Sequence, residues 1–427
     1  MYHLEISHKN LPDSLANFKK KALAWANSYK QVAYYEPNEI AFPHHGFKNF
    51  LAVSNTFLPI DTNIALQALQ TEIYQQKQIL CCILNYNLKN QIEDLTNPNP
   101  DFIQFPTIHY FYPEVQLCFQ SEKVIIYSVS DNCLGLYRAI TKQDITGNVQ
   151  LNAMAFKSRI SKKEYINQVN QVKQRIWEGD VYELNFCQEF YASVSDFNPI
   201  TAFFHLNKLS PMPFAGFYKV QDRYLLCASP ERFLKKDQNT LISQPIKGTI
   251  RRGNTEPEDA QLKHELATNE KEIAENMMIM DLVRNDLARC SVKGSVKVEE
   301  MFAIYSFRQV HQMITTIQSQ VSDRTSFSDM IRSTFPMGSM TGAPKLAALR
   351  LIDQYEAFAR GLYSGSLGYI LPNGDFDFNV VIRSIQYNSI AGYLSFAVGS
   401  AITYDSDPEK EFEECLLKSK AILEILQ

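Results

Sequence analysis

An α+β fold, with helices laid over antiparallel sheets, is what the hydrophobic periodicity of the chain predicts. Short apolar runs of strand character recur at Ile79–Asn85, Lys123–Val129, Val181–Phe190, Arg223–Ala228 and Gly392–Val398. Apolar residues at three- and four-residue spacing mark helices over Lys163–Trp177, Asn269–Arg284 and Pro408–Leu426. One linker-like tract, Asn97-Pro98-Asn99-Pro100-Asp101, is too short to mark a domain boundary. No repeat or low-complexity segment accompanies it, so 1–427 reads as a single large unit.

Composition narrows the function classes. With 45% hydrophobic and 21% charged residues in 427, the chain can bury a large core. A net charge of -4 gives no field that draws phosphate backbones or anionic lipid, so neither a nucleic-acid nor a membrane-surface role is expected. The start, Met1 to Ile6, has no basic-then-apolar leader. The longest apolar run, Ile79 to Leu84, falls far short of the ~20 residues that span a bilayer. A cytoplasmic protein is the expectation. The eight cysteines form no C-x-x-C pair and sit mostly in apolar runs, as reduced core thiols do.

Two helices carry acids. Asp407-Pro408 reads as an N-cap followed by a first-turn proline, opening a helix that runs nearly to Gln427. Phe412, Cys415, Leu416, Leu423 and Leu426 form its apolar stripe, opposite Glu413, Lys420 and Glu424. Glu411, Glu414 and Lys418 share the shoulder between these faces, either as a surface ion-pair ladder or as groups converging on one ligand. In the helix opened by Asn269, Glu272 sits where a capping box would place it. Glu275 is in line with Ile279 and Leu282, on the stripe that ought to be buried. A buried carboxylate needs a partner. A hard cation shared with Glu414 would serve, and so would Asn276 or Arg284.

Three loops hold further candidates. Phe335 to Lys345, FPMGSMTGAPK, precedes a helical run from Leu346 and either aims N–H groups at an anion or is simply a turn. In Pro245-Ile246-Lys247-Gly248-Thr249, Lys247 becomes a nucleophile only if desolvation or nearby cations, such as Arg251 and Arg252, strip its proton; otherwise it is a solvated strand-end lysine. Glu231, within ASPERF, can pair near Arg232 or act as a general acid.

Taken in order, GDVYELNF, ASPERF, PIKGTIRRG, AENMMIMDLVRND, SVKV, FPMGSMTGAPK, YSGSLGY, VIRSI and DSDPEKEFEECLLKSK resemble the chorismate-binding enzymes. That family includes component I of anthranilate synthase and of aminodeoxychorismate synthase, isochorismate synthases and salicylate synthases. The resemblance makes 160–422 the chorismate-binding region and 1–150 the variable N-terminal half. It implies an anthranilate synthase-like two-sheet α/β/β/α sandwich with the active site between the sheets, holding Mg²⁺ and chorismate. It further implies Glu275 and Glu414 as metal carboxylates, with Glu411 acting through water. Gly248, Thr249, Tyr363, Arg383, Gly399 and Lys418 match substrate-holding positions, Glu231 matches the family's acid, and His311 a histidine lining the pocket.

Within the family, Lys247 and Asn276 resemble the aminodeoxychorismate-forming branch, whereas anthranilate synthases carry alanine at the lysine position and typically histidine at the asparagine. The resemblance therefore implies a transferase of para-aminobenzoate and folate biosynthesis, which converts chorismate and ammonia to 4-amino-4-deoxychorismate. Lys247 would attack C2 while Glu231 protonates the departing C4 hydroxyl, and ammonia would then add at C4. No cysteine lies in a G-x-C-x-G turn, so a separate glutamine amidotransferase subunit is implied as the ammonia source. Glu183 departs from the lysine or glutamine of relatives, arguing against water activation at C2, and Ala401 stands where relatives have a substrate-cradling glycine. No Leu-Glu-Ser element is evident, so tryptophan inhibition is not expected. The alternatives are anthranilate synthase component I, told apart by its 2-amino product, and a silent chorismate-binding regulator, told apart by binding without turnover.

Overall fold

Alternation along single strands decides the layering. The computed structural model describes residues 1–59, 64–75, 77–145, 154–424 and 426. In the strand Leu80–Leu84, Leu80, Cys82 and Leu84 pack into one apolar cluster with Ile279, Met280, Val283, Phe327 and Ile331 of covering helices. Cys81 and Ile83 face the other way, into a cluster shared with Ala33, Tyr35, Phe214, Leu225 and Tyr369. Likewise Val32 and Tyr34 join Phe18, Leu23 and Phe203 of helices on the opposite outer face, while Ala33 and Tyr35 point inward. Helix, sheet, sheet, helix is the resulting order, and the Tyr35 hydroxyl crosses the middle layer to donate to the Gly368 carbonyl at 2.5 Å.

Among the described residues, a twelve-stranded antiparallel sheet runs in the order Tyr2–Ser7, Lys123–Ser128, Val115–Phe119, Phe50–Ser54, Gln31–Glu36, Phe214–Val220, Arg223–Ser229, Ser384–Asn388, Tyr393–Ile402, Glu183–Ser193, Gly342–Ala343, with Lys157–Ser158 also on Glu183–Ser193. The nine-stranded second sheet begins with the edge strand Ile246–Arg251, continues through Val310–Gln320, Thr240–Gln244, Arg232–Asp237, Phe376–Asn379, Ser366–Ile370 and Leu80–Leu84, and ends at Ile108–Phe111; Lys297–Ser306 pairs with Val310–Gln320. Both ends of the chain feed both sheets.

Two of the segments that cross from sheet to sheet are bonded to each other. Pro230 and Glu231 join Arg223–Ser229 of the first sheet to Arg232–Asp237 of the second, and Val380–Arg383 returns from Phe376–Asn379 to Ser384–Asn388. Hydrogen bonds tie the crossovers together: the Val380 N–H donates to the Glu231 carbonyl at 3.0 Å and the Ala228 N–H to the Arg383 carbonyl at 3.1 Å.

The helix starts follow the expected chemistry. Asn269 caps Glu270–Ala288 by accepting from the Glu272 N–H, and Asp407 caps Pro408–Leu423 by accepting from the Glu409 and Lys410 N–H groups. Three readings are corrected. Val181 and Tyr182 precede the strand, which begins at Glu183. Leu416 is 42% exposed, because the buried stripe of its helix is centred on Cys415 and takes in Glu411, Ser419 and Ile422 instead. That helix ends at Leu423, and Gln427 lies outside the described residues. No described helix is long and apolar enough to cross a membrane.

Candidate active site

A backbone irregularity places Lys247. In the edge strand, Ile246 pairs with Ile314 and Thr249 with Gln312, so Lys247 and Gly248 together oppose Met313 alone. Such a bulge bends the strand and re-aims its side chains. Gly248 makes it possible with φ +87°, and a Cβ there would press on Glu272 Oε2 and Leu266 Cδ1, both at 3.2 Å. The Gly248→Ala variant should lose about 1–3 kcal/mol of stability, read from a denaturant midpoint, because it combines left-handed strain with that crowding. Asn276 locks the bulge from the helix side: its amide donates to the Lys247 and Met313 carbonyls, both at 3.3 Å, and accepts from the Thr315 hydroxyl at 2.7 Å.

The Lys247 side chain is only 11% exposed, and its Nζ lies 2.5 Å from Glu183 Oε1. This ion pair joins the edge strand of the second sheet to the strand Glu183–Ser193 of the first. Burial alone would lower the lysine pKa, but the charges of Glu183, Glu275 and Glu231 outweigh it and hold the pKa above the usual lysine range. A lysine stripped of its proton by desolvation or nearby cations was the expectation; its carboxylate surroundings favour the ammonium form instead. Arg251 and Arg252 do not face it, since Glu258 and Asp259 of the helix Glu256–Thr268 bind them at 2.6 and 2.7 Å.

Glu231 is buried on its crossover and accepts from the Ser339 hydroxyl at 2.5 Å. Burial raises its carboxyl to about 7, against the smaller opposing effects of Ser339 and Lys247. It does not pair near Arg232, whose guanidinium turns to Asp377, Gln244 and the carbonyls of residues 43–45. Ser339 gives the FPMGSMTGAPK segment a role that its glycines did not suggest; Gly342 and Ala343 add a short strand to Glu183–Ser193.

Four glutamates, Glu272, Glu275, Glu411 and Glu414, collect around Lys271 and Lys418. Glu275 is 7% exposed, raised to about 7 chiefly by burial, and its Oε1 makes no hydrogen bond. Neither foreseen protein partner serves it: Asn276 holds the bulge, and Arg284 pairs with Asp281. Lys271 Nζ is 3.6 Å from Glu275 Oε1 and also feels Glu411, Glu272 and Glu414. On the other helix Glu411 is buried, whereas Glu414 is half-exposed and pairs with Lys418 at 2.6 Å. Burial opposes the ionised form of Glu414, but Lys418 holds its pKa below the usual carboxylate value. Glu272 was not foreseen as a site residue. Its capping-box position suggested a reach back to the helix start, yet the carboxylate turns to Gly248 instead, and burial raises its pKa.

Among the described residues, no three His, Cys, Asp or Glu side chains already form a cation cage. The donors present are nonetheless all carboxylate oxygens, and one of them is buried without a hydrogen bond. That chemistry fits a hard divalent cation, which takes one or two protein carboxylates and leaves its other positions to water or ligand oxygens.

The expected substrate-holding positions divide into groups. Lys418 Nζ also donates to the Gly399 carbonyl at 2.9 Å, and a Cβ on Gly399 would strike Cys187 Sγ at 2.5 Å. Tyr363 is buried with its hydroxyl on the same Cys187 thiol. Arg383, held at φ 48° on the second crossover, has no carboxylate partner among the described residues; burial lowers its pKa to about 10, leaving a cation suited to an anion. Thr249 is exposed and accepts from the Gln312 amide at 3.3 Å. Ala401 continues the ladder opposite Asn185. His311 departs from expectation. It is fully buried with Nδ1 on Ser306 at 2.8 Å and Nε2 on Asp259 at 3.0 Å, so neither ring nitrogen is free for a ligand.

Comparison with known proteins places this geometry. The family described as chorismate binding enzyme matches residues 16–424. An aminodeoxychorismate synthase of Arabidopsis thaliana is 43% identical over 264 residues, 61% of this chain and 28% of that protein. Aminodeoxychorismate synthase component 1 of Escherichia coli is 32% identical over 347 residues, 81% of this chain and 76% of that one. The chain thus spans about a third of the length of the plant relatives, and three quarters of the bacterial component. The crystal structure of anthranilate synthase component I from Streptococcus pneumoniae superposes with a TM-score of 0.76 at 25% identity, covering 92% of each chain.

Proposed function

Because the chain belongs to the chorismate-binding enzyme family, we propose that it is the chorismate-aminating component of a cytoplasmic aminodeoxychorismate synthase, a transferase that replaces the C4 hydroxyl of chorismate with an amino group. The observation that carries this reading is Lys247, turned inward by the Gly248 bulge to within 2.5 Å of Glu183 across the two sheets. An amine so placed suits covalent catalysis, which splits one difficult displacement into two easier ones. All eight cysteines are free thiols, in keeping with a reducing compartment.

The residues take complementary parts. Arg383 is the unpaired cation for a substrate carboxylate. Glu275 and Glu414 would hold Mg²⁺, with Glu411 and Glu272 beside them. When bound, the ion supplies Lewis-acid polarisation of the ring carboxylate, favouring nucleophilic attack on the conjugated ring. The Lys247 nitrogen bonds to C2 as the C4–O bond breaks, and Glu231, with a carboxyl near 7, gives its proton to the leaving oxygen so that water departs. Ammonia, delivered by a separate glutamine amidotransferase subunit, then bonds to C4 while the C2–N bond breaks, releasing Lys247.

The test is incubation with chorismate, Mg²⁺ and ammonium, followed by mass and fluorescence identification of the product with and without an added aminodeoxychorismate lyase. A 4-amino product is expected; a 2-amino product would overturn the reading. Glu414→Gln should weaken Mg²⁺ binding, raising the half-saturating concentration roughly ten- to a hundredfold, as loss of a metal-supporting group does. An unchanged titration would remove Glu414 from the metal site.

A further inference from the structure

We propose that Glu183 is the base that takes the Lys247 proton, freeing the amine that attacks. This step rests on Lys247 being the nucleophile. The geometry supplies three supports. Glu183 Oε1 is 2.5 Å from Nζ, a direct path for one proton. Glu183 is 1% exposed, so bulk water does not compete for that proton. Its Oε2 is buried without a hydrogen-bond partner, and among the described residues Lys247 is its one cation.

The other acids facing Lys247 are differently employed. Glu231 takes the Ser339 proton contact and is needed as the acid at C4. Glu275 lies beyond ion-pair distance of Nζ and sits among Lys271 and the other helix carboxylates. A buried ion pair used only for stability gains little, since desolvation offsets much of the attraction. Here the pair lies at the site, on a bulge that turns the lysine toward it.

The cycle balances. The ammonium of Lys247 gives one proton to Glu183, leaving an amine and a carboxylic acid. The amine nitrogen bonds to C2, the C4–O bond breaks, and the Glu231 proton leaves with the hydroxyl as water. Ammonia bonds to C4, the C2–N bond breaks, and Lys247 departs as an amine that recovers its proton from Glu183. The proton of the ammonium ion that supplied the ammonia restores Glu231. No oxidant or reductant is required.

The experiment is rapid quench of the full chain with chorismate and Mg²⁺ in the absence of ammonium, reading the covalent adduct on Lys247 by intact mass. Glu183→Gln should slow adduct formation about 10²-fold or more at pH 7, the usual worth of a positioned base. The deficit should close as pH rises and Lys247 loses its proton to solvent. An adduct formed at the wild-type rate overturns the proposal. Glu183→Asp, which keeps the carboxylate, should restore part of the rate at pH 7; a deficit equal at every pH in both variants would mark a structural ion pair and also overturn it. Should Glu183→Gln not fold, the pH profile of Glu183→Asp alone decides between these outcomes. Wild type that forms no adduct would sink the nucleophile reading itself, and this proposal with it.

Discussion

Replacing Lys247 with alanine is expected to abolish 4-amino product, a loss of at least about 10³-fold, in line with removal of a nucleophile that acts as one unit with its neighbours. The bulge, the Asn276 lock and the Glu183 pair all serve to hold one nitrogen at the junction of the two sheets. Alanine also leaves Glu183, Glu231 and Glu275 without their shared cation, so Lys247→Arg is the companion variant. Arginine keeps the charge but is never deprotonated at working pH. Both variants should fold, as judged by thermal melting, and both should bind chorismate in an equilibrium titration. Sustained turnover in either would take Lys247 out of the chemistry.

Glu231→Gln is the second large effect, expected to lower kcat by about 10²–10⁴-fold, the range for loss of a general acid. Glutamine retains an oxygen for the Ser339 hydroxyl, so the packing at the crossover survives while the donated proton does not. The pH dependence follows from the direction of the shift. Burial raises the carboxyl to about 7, so the acid form is populated below that pH and the wild-type rate should fall as pH climbs through it. A variant with no slower turnover, or a wild-type rate flat from about pH 6 to 9, would assign the proton to another group.

How much of this was legible in the sequence depends on how far apart the cooperating residues lie. Asn269 and Asp407 were readable as caps because capping is local, and both accept the expected N–H groups. Glu275 was readable as a buried acid because helical spacing places it in line with Ile279, and the structure leaves its Oε1 without a hydrogen bond. Rotation of a helix about its axis is harder to read. A leucine beside Cys415 looked like core, yet Leu416 faces outward and Glu411 inward, since the neighbouring sheet chooses which edge of an apolar stripe it covers. Arg251 and Arg252 seemed close to Lys247 in sequence, but the Glu256–Thr268 helix supplies carboxylates that hold them elsewhere. His311 carried no local sign of Ser306 or Asp259, which bind both of its ring nitrogens.

The pairing of Lys247 with Glu183 was beyond any local pattern. The two residues are 64 positions apart on different sheets, and the contact depends on the single extra residue in the edge strand. The resemblance drew notice to Glu183, but its partner was not visible. Ser339 was hidden for a similar reason: a glycine-rich turn suggested backbone N–H groups, while the useful group is a hydroxyl 108 positions from its carboxylate.

The order of strands in the larger sheet bears on how the protein is born. Ser384–Asn388 and Tyr393–Ile402 sit between Arg223–Ser229 and Glu183–Ser193, although they emerge from the ribosome long after those earlier neighbours. Until they arrive, a nascent chain carries two long strands with bare flanks facing one another, ready to accept a stray segment from another chain. Ribosome-bound fragments ending before Ser384 should therefore depend on chaperones to stay dispersed, and release of the last strands should act as a closing wedge that ends this dependence.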